Sequence, residues 1–412
     1  MRIHARKRKL HTIIALCFMS TLLACSNDDT STISNPIINV NPSSSERGAL
    51  ISYQEKGHLT TGEIASNGAN IGNVSTLTTH DIKAYKVIYN SLYAGELTKV
   101  SGLVFVPQNT LGALRIIQHH HGTIIPSADS KAEVPSNYNG SSTDDDIETS
   151  FIGAVMASNG YVVSLPDYVG YGETAHLEHP YTVHHELAEV SVDMIRATKN
   201  LLNALSVDFS KNVFLTGWSE GGGAGLATHK YLQLNYPKEF NIKASSLFAG
   251  PYDYFLFTSD ILANNDENLD NLDIYNWSIY SVNKFTPSLS LTKETIWSYT
   301  VENQTQALNI PSYKPNNIYQ PEILNPFHPE YIRLTNLASN NSLINGWTPT
   351  GNLFFHSGTD DEIVPHYNST NAHKQFELVG ANSKLYEYPG EDHYTPLYNY
   401  VKTTIQDFNS IQ

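Results

Sequence analysis

Residues 213–223 read Val-Phe-Leu-Thr-Gly-Trp-Ser-Glu-Gly-Gly-Gly. The apolar start, Val213 to Leu215, has strand character, and the small-residue run from Gly222 to Tyr236 reads as a helix. Between them, Gly217-Trp218-Ser219-Glu220-Gly221 fits G-x-S-x-G. Strand, glycine-flanked turn and helix are the context that makes this pattern a nucleophile elbow. A serine on so sharp a turn is held in a strained backbone conformation, and glycines two before and two after leave room for it. Its hydroxyl then stands at the sheet end, before the free N–H groups of a helix N-terminus. Ser219 is the candidate nucleophile. The plainer alternative is a serine in an ordinary strand-to-helix turn.

Around this turn the chain alternates strands and helices. Ile82 to Tyr93 and Val100 to Val106 read as two strands joined by a turn at Ala94–Lys99, an antiparallel hairpin stopped by Pro107. Leu114 to Gln118 is a third, short strand running into His119-His120-His121-Gly122. Ile147 to Ser158 reads as helix and Tyr161 to Leu165 as strand. From Pro180 to Leu205, apolar Leu187, Val190, Met194, Ala197 and Leu201 recur at spacings of three and four, which predicts a long amphipathic helix. Ile242–Phe248, Leu353–His356 and Lys384–Tyr388 are further strands. Helices are expected over Asn371–Leu378 and Pro396–Phe408. The fold class is α/β: a hairpin, then strand–helix units forming a mostly parallel sheet with helices on both faces. Residues from about 251 to 350 break the rhythm. A structureless loop of that length is improbable, so they read as an inserted helical cap over the sheet's C-terminal edge. Its aromatic residues suit an apolar underside or a small core of its own.

A serine hydroxyl needs a base to take its proton and a third group to hold that base. With the nucleophile on this elbow, the acid and then the histidine follow in chain order, each after a late strand. Gly358-Thr359-Asp360-Asp361-Glu362 follows one such strand, with Asp361 and Asp360 as the acid candidates. His393, in Gly390-Glu391-Asp392-His393, follows the last strand and is the candidate base; His356 and His366 compete with it. The oxyanion needs two N–H donors. The amide of Glu220, after the nucleophile, is one; the amide of Thr123, in the loop after the third strand, is the other. The three consecutive histidines invite a metal. On a strand end, however, His119 and His121 point to one side and His120 to the other, so they do not converge. Hydrogen bonding around the loop is their plainer role, and no metal or cofactor is called for.

The chain resembles the α/β-hydrolase superfamily and, within it, the secretory lipase family. The resemblance rests on His121-Gly122-Thr123, Leu165-Pro166-Asp167-Tyr168-Val169-Gly170-Tyr171-Gly172, the elbow Gly217–Gly222, and the large insertion after Leu247–Pro251. It spans about Ile82 to Phe408. It implies an α/β-hydrolase fold, a cap over an acyl-binding pocket and hydrolysis of carboxylic esters. The superfamily's acid loop usually reads G-x-x-D-x-x-V-P; with Gly358 and Val364-Pro365 as anchors, that favours Asp361 over Asp360.

The N-terminus has another character. Arg2, Arg6, Lys7, Arg8 and Lys9 precede an apolar stretch, Ile13 to Leu23, too short to span a membrane. Leu22-Leu23-Ala24-Cys25 closes it and resembles a bacterial lipobox. The expectation is a signal peptide over residues 1–24, lipid on Cys25, a flexible tether over 25–47 and a hydrolase domain over 48–412. This would hold the protein in the cell envelope, on the inner or outer membrane, by its lipid. An ordinary secretory signal is the alternative. The second cysteine, Cys17, would be removed, so no disulfide is expected. A formal charge of −15 repels phosphate backbones and argues against nucleic acid as a partner.

These features point to a lipid-anchored serine hydrolase of carboxylic esters. Alternatives with the same triad are a peptidase of the prolyl-oligopeptidase type and a carbohydrate-ester hydrolase, acetyl or feruloyl. A binding protein on the same scaffold would be expected to lack a triad member.

Overall fold

The computed structural model describes residues 35–127, 131, 133–139 and 147–411. The expected signal peptide and Cys25 lie outside them. Ten strands form one sheet: β1 Ile38–Asn39, β2 Leu50–Leu59, β3 Ile82–Tyr93, β4 Glu96–Pro107, β5 Leu114–His120, β6 Tyr161–Pro166, β7 Phe209–Trp218, β8 Asn241–Phe248, β9 Asn352–Gly358 and β10 Asn382–Tyr388. Their order is β1-β2-β3-β4-β6-β5-β7-β8-β9-β10. The pairs from β1 to β4, and β4 with β6, are antiparallel; from β6 onward through β5 to β10 every pair is parallel.

Alternation along the central strands gives the sheet two apolar faces. Phe105, Ile117, Val163 and Phe214 face one side, packed with Phe151–Ala157 and the Leu397–Phe408 segment. Val104, Ile116 and Val162 face the other, against Leu187, Val190, Met194 and Leu201 of the helix His184–Ala204. That helix starts later than the periodicity from Pro180 suggests. Thr182 sits at φ 55°, which no helix tolerates, so the turn ahead of it is irregular.

The N-terminal part of the domain departs from the sequence reading in two ways. A strand precedes the expected hairpin: β2 runs antiparallel to β3 over its whole length, its polar residues Gln54, Glu55 and Lys56 having hidden the strand pattern. The tether does not extend to residue 47. β1 pairs with β2, and Arg47 donates to Asp193 Oδ2 at 3.0 Å and to Glu189 Oε1 at 3.2 Å. A polar stretch can thus be ordered by edge pairing and charge without an apolar face.

Between β8 and β9 all regular structure is helical apart from one bridge, Trp297 with Tyr319. The insertion has its own core, built on buried Trp277, Trp297, Tyr319, Leu262 and Leu337. Tyr181 and Val183, ahead of the long helix, join it. Among the described residues no helix is long and apolar enough to cross a membrane.

Candidate active site

The sharp turn at the end of β7 has the geometry its glycines imply. Ser219 lies at φ 58°, ψ −124°, directly before the helix Glu220–Asn235, and its amide donates to Phe248 O at 2.9 Å. Such a conformation costs about 1–3 kcal/mol and persists only where the surroundings enforce it. They do so by contact. A Cβ on Gly217 would stand 2.0 Å from Gly221 O, and one on Gly221 would stand 1.9 Å from His120 O. Only bare backbone lets β5, β7 and the helix start meet here.

Ser219 and His393 line one cavity of about 270 Å³, together with Gly122, Thr123, Glu148 and Glu220. Its remaining wall is largely apolar and comes partly from the insertion: Phe257, Ile274 and Tyr275, with Ile125, Trp218 and Ile363. Tyr275 also donates to Ile363 O at 2.8 Å, tying the insertion to the loop that bears Asp361.

His393 is held on several sides. Its Nδ1 lies 2.7 Å from Asp361 Oδ2, its carbonyl accepts from Trp218 Nε1 at 3.1 Å, and its ring stacks on Phe248. Asp361 Oδ1 accepts the amides of Ile363 and Val364, both at 2.9 Å. A carboxylate so occupied has one oxygen left for the imidazole, which fixes the proton on Nδ1 and leaves the lone pair on Nε2. Asp360 stands outside this arrangement: it is exposed, and its side chain accepts from Thr359. The rival histidines are elsewhere. His356 is buried between Ser246 and Tyr388, and His366 meets Glu387; neither lines the cavity.

Both expected oxyanion donors border the cavity. Among the described residues, neither the Thr123 nor the Glu220 amide meets an acceptor. The three histidines diverge: His119 reaches Glu148 and Thr216, His120 reaches Thr216 and Thr228, and His121 turns toward Gly122 and Asp167. Among the described residues no group of side chains is placed to hold a metal.

Two carboxyl groups at the site have no signal in the sequence. Glu148 accepts from the Gly122 amide at 2.7 Å and lies 3.1 Å from His119 Nε2. Burial pushes its carboxyl up to about 7. Burial also pushes His119 down to about 3, so that ring is neutral. The Glu220 side chain is buried against His179, 2.8 Å from Nε2, and accepts the Thr182 amide at 3.2 Å. Glu148 sits in the first turn of an expected helix, just after a polar run, and His179 before a proline. Only the folded backbone brings either beside Ser219.

A family model described as secretory lipase matches residues 132–251. No curated protein matches the chain. Similar solved structures include a Legionella pneumophila chain with a provisional hydrolase name, at 22% identity and TM-score 0.74, covering 88% of this chain and 97% of that one. The rice cell wall degrading esterase LipA from Xanthomonas oryzae has 21% identity and TM-score 0.70, covering 88% and 96%. Candida antarctica lipase A in its closed state has 17% identity and TM-score 0.62, covering 92% and 86%. The chain has the α/β-hydrolase fold, and its residues 132–251 match the secretory lipase family model.

Proposed function

We propose that this protein is a serine hydrolase of carboxylic esters, with Ser219 as nucleophile, His393 as base and Asp361 as its partner. The observation that carries the reading is the His393–Asp361 bond of 2.7 Å beside a strained Ser219 in the same cavity. Ser219 Oγ attacks the ester carbonyl as its proton passes to His393 Nε2. The Thr123 and Glu220 amides receive the oxyanion, and Asp361 stabilises the imidazolium. The proton then goes to the departing alcohol, leaving an acyl-enzyme. Water, deprotonated by His393, attacks that acyl group, and the acid leaves as Ser219 recovers its proton.

The cavity's small volume and apolar wall favour a short or medium acyl group; clefts for drug-sized ligands hold about 300–1,000 Å³. A chain-length series of p-nitrophenyl esters tests both points. Butyrate or hexanoate should be hydrolysed faster than palmitate, and Ser219→Ala should abolish turnover and fluorophosphonate labelling. Labelling that persists in Ser219→Ala would sink the assignment. We also infer lipidation at Cys25, supported by the lipobox-like Leu22–Cys25 sequence. Metabolic labelling with a palmitate analogue, lost in Cys25→Ser, tests it; equal labelling in that variant would remove the anchor.

A further inference from the structure

Thr123 and Tyr181 both line the cavity that holds Ser219, and their hydroxyl oxygens lie 2.8 Å apart. Among the described residues, neither oxygen has a further hydrogen-bond partner. Each hydroxyl carries one proton, and the bond between them uses only one. The second proton is left over in the wall of the site. The chemistry of the two groups decides whose it is. A phenol oxygen shares its lone pairs with the ring, which makes it the better donor and the poorer acceptor; an aliphatic hydroxyl is the better acceptor. Tyr181 therefore donates to Thr123, and the Thr123 O–H is the one that remains.

Both partners are held in place. The Tyr181 ring lies parallel to that of fully buried Trp277, at 4.1 Å and 7°, and so is fixed to the core of the insertion. The loop bearing Thr123 is pinned on either side of it: the Gly122 amide donates to Glu148 at 2.7 Å, and the Tyr171 hydroxyl donates to the Ile124 carbonyl. The loop also runs against the nucleophile, since a Cβ on Gly122 would stand 3.4 Å from Ser219 Cβ. One residue on, Thr123 brings an amide without an acceptor and a hydroxyl with an unused proton to the same cavity. When Ser219 Oγ bonds to the ester carbon, the carbonyl π pair moves onto oxygen, and donors already aimed there gain most from the new charge. We propose that the Thr123 hydroxyl is a third oxyanion donor, and that Tyr181 is the positioning residue that turns its proton toward the substrate by donating to its oxygen. Neither group gives up its proton; the one that moves passes from Ser219 to His393. The inference rests on the ester-hydrolase reading.

The test compares substitutions that spare the backbone amide. Thr123→Val keeps the branched shape and removes the hydroxyl. On p-nitrophenyl butyrate its kcat should fall by about 10- to 100-fold with KM changed by less than about two-fold, as for a group that binds in the transition state. Inhibition by an alkyl trifluoromethyl ketone, whose adduct with Ser219 carries an oxyanion, should weaken by the same factor as kcat/KM. Thr123→Ser, which restores a hydroxyl, should recover most of both losses. Tyr181→Phe, which keeps the stacking on Trp277, should lower kcat by about three- to ten-fold. Combined with Thr123→Val it should add nothing, because no hydroxyl is left to aim. Folded Thr123→Val with unchanged kcat or unchanged ketone inhibition would overturn the proposal. So would a Tyr181→Phe loss larger than that of Thr123→Val, which would put the spare proton on the phenol, or losses that multiply in the double variant. If Thr123→Val does not fold, Thr123→Ala decides in its place. Wild type without Ser219-dependent turnover and fluorophosphonate labelling would sink the hydrolase reading; an active, labelled wild type beside unaffected Thr123 variants would sink the third donor alone.

Discussion

His179 Nε2 and Glu220 Oε1 lie 2.8 Å apart with both side chains closed to solvent, immediately behind the nucleophile turn. His179 Nδ1 is 2.7 Å from Val169 O and must donate there. The pair therefore shares one further proton between Nε2 and Oε1, and is neutral overall whichever atom holds it. Removing one member leaves a buried polar group without its partner. We predict that His179→Ala costs about 3–5 kcal/mol in urea unfolding. Glu220→Gln should cost less, because its amide can donate to a neutral Nε2. Equal losses in the two variants would show that packing, not the shared proton, is what matters.

The acid loop supplies a sharper comparison. Asp361→Asn keeps the shape but loses the group that holds the proton on His393 Nδ1. We expect kcat to fall by about 10⁴-fold with folding preserved. Asp360→Asn, one position away, should retain activity within about three-fold, since its side chain is exposed and meets Thr359, not His393. Steady-state hydrolysis of p-nitrophenyl butyrate by both variants separates them; the reverse ranking would move the acid to Asp360.

What was legible in the sequence follows from how local each constraint is. The elbow is written in adjacent residues, because each glycine answers a backbone contact made within or beside the turn. Helix His184–Ala204 was legible from its apolar spacing, though not its start, which depends on the backbone at Thr182. β2 was missed since its partner, β3, supplies the order that its own polar residues conceal. Glu148 and His179 were not legible at all: each reaches the Ser219 region through space, with no motif to mark it. The loop pattern already favoured Asp361 over its neighbour Asp360, and the hydrogen bonds of Asp361 set the two apart in space.

Glu148 makes the pH dependence specific. Burial raises its carboxyl to about 7, so the folded protein holds a proton that the unfolded chain, near 4.5, has released. Its contribution to stability is fully present below about 4.5 and is lost as pH rises through about 7. We predict that wild type loses up to about 3 kcal/mol relative to Glu148→Gln between pH 4.5 and pH 8. Ionised Glu148 also puts negative charge beside the oxyanion loop, so kcat should decline above pH 7 in wild type and less in Glu148→Gln. Parallel unfolding and kinetic profiles check both effects. Profiles that coincide for the two proteins would exclude Glu148 as the titrating group.

Arg47 tests how far the folded domain reaches toward the N-terminus. It meets Asp193, whose side chain is fully buried, and Glu189, and lies just before β2. Asp193 also accepts from Ser91 at 2.8 Å and Arg196 at 2.9 Å, so losing Arg47 leaves it partly compensated. We therefore expect Arg47→Ala to cost about 1–3 kcal/mol, between a surface pair and an unpaired buried charge. The exposed Lys293–Glu302 pair is the control: Lys293→Ala should cost less than about 1 kcal/mol. Fluorophosphonate labelling of Ser219 should be unchanged in Arg47→Ala at equal folded fraction, because Arg47 does not line the cavity. Stability equal to wild type would return residues 35–47 to the role of a tether resting on the domain without securing it.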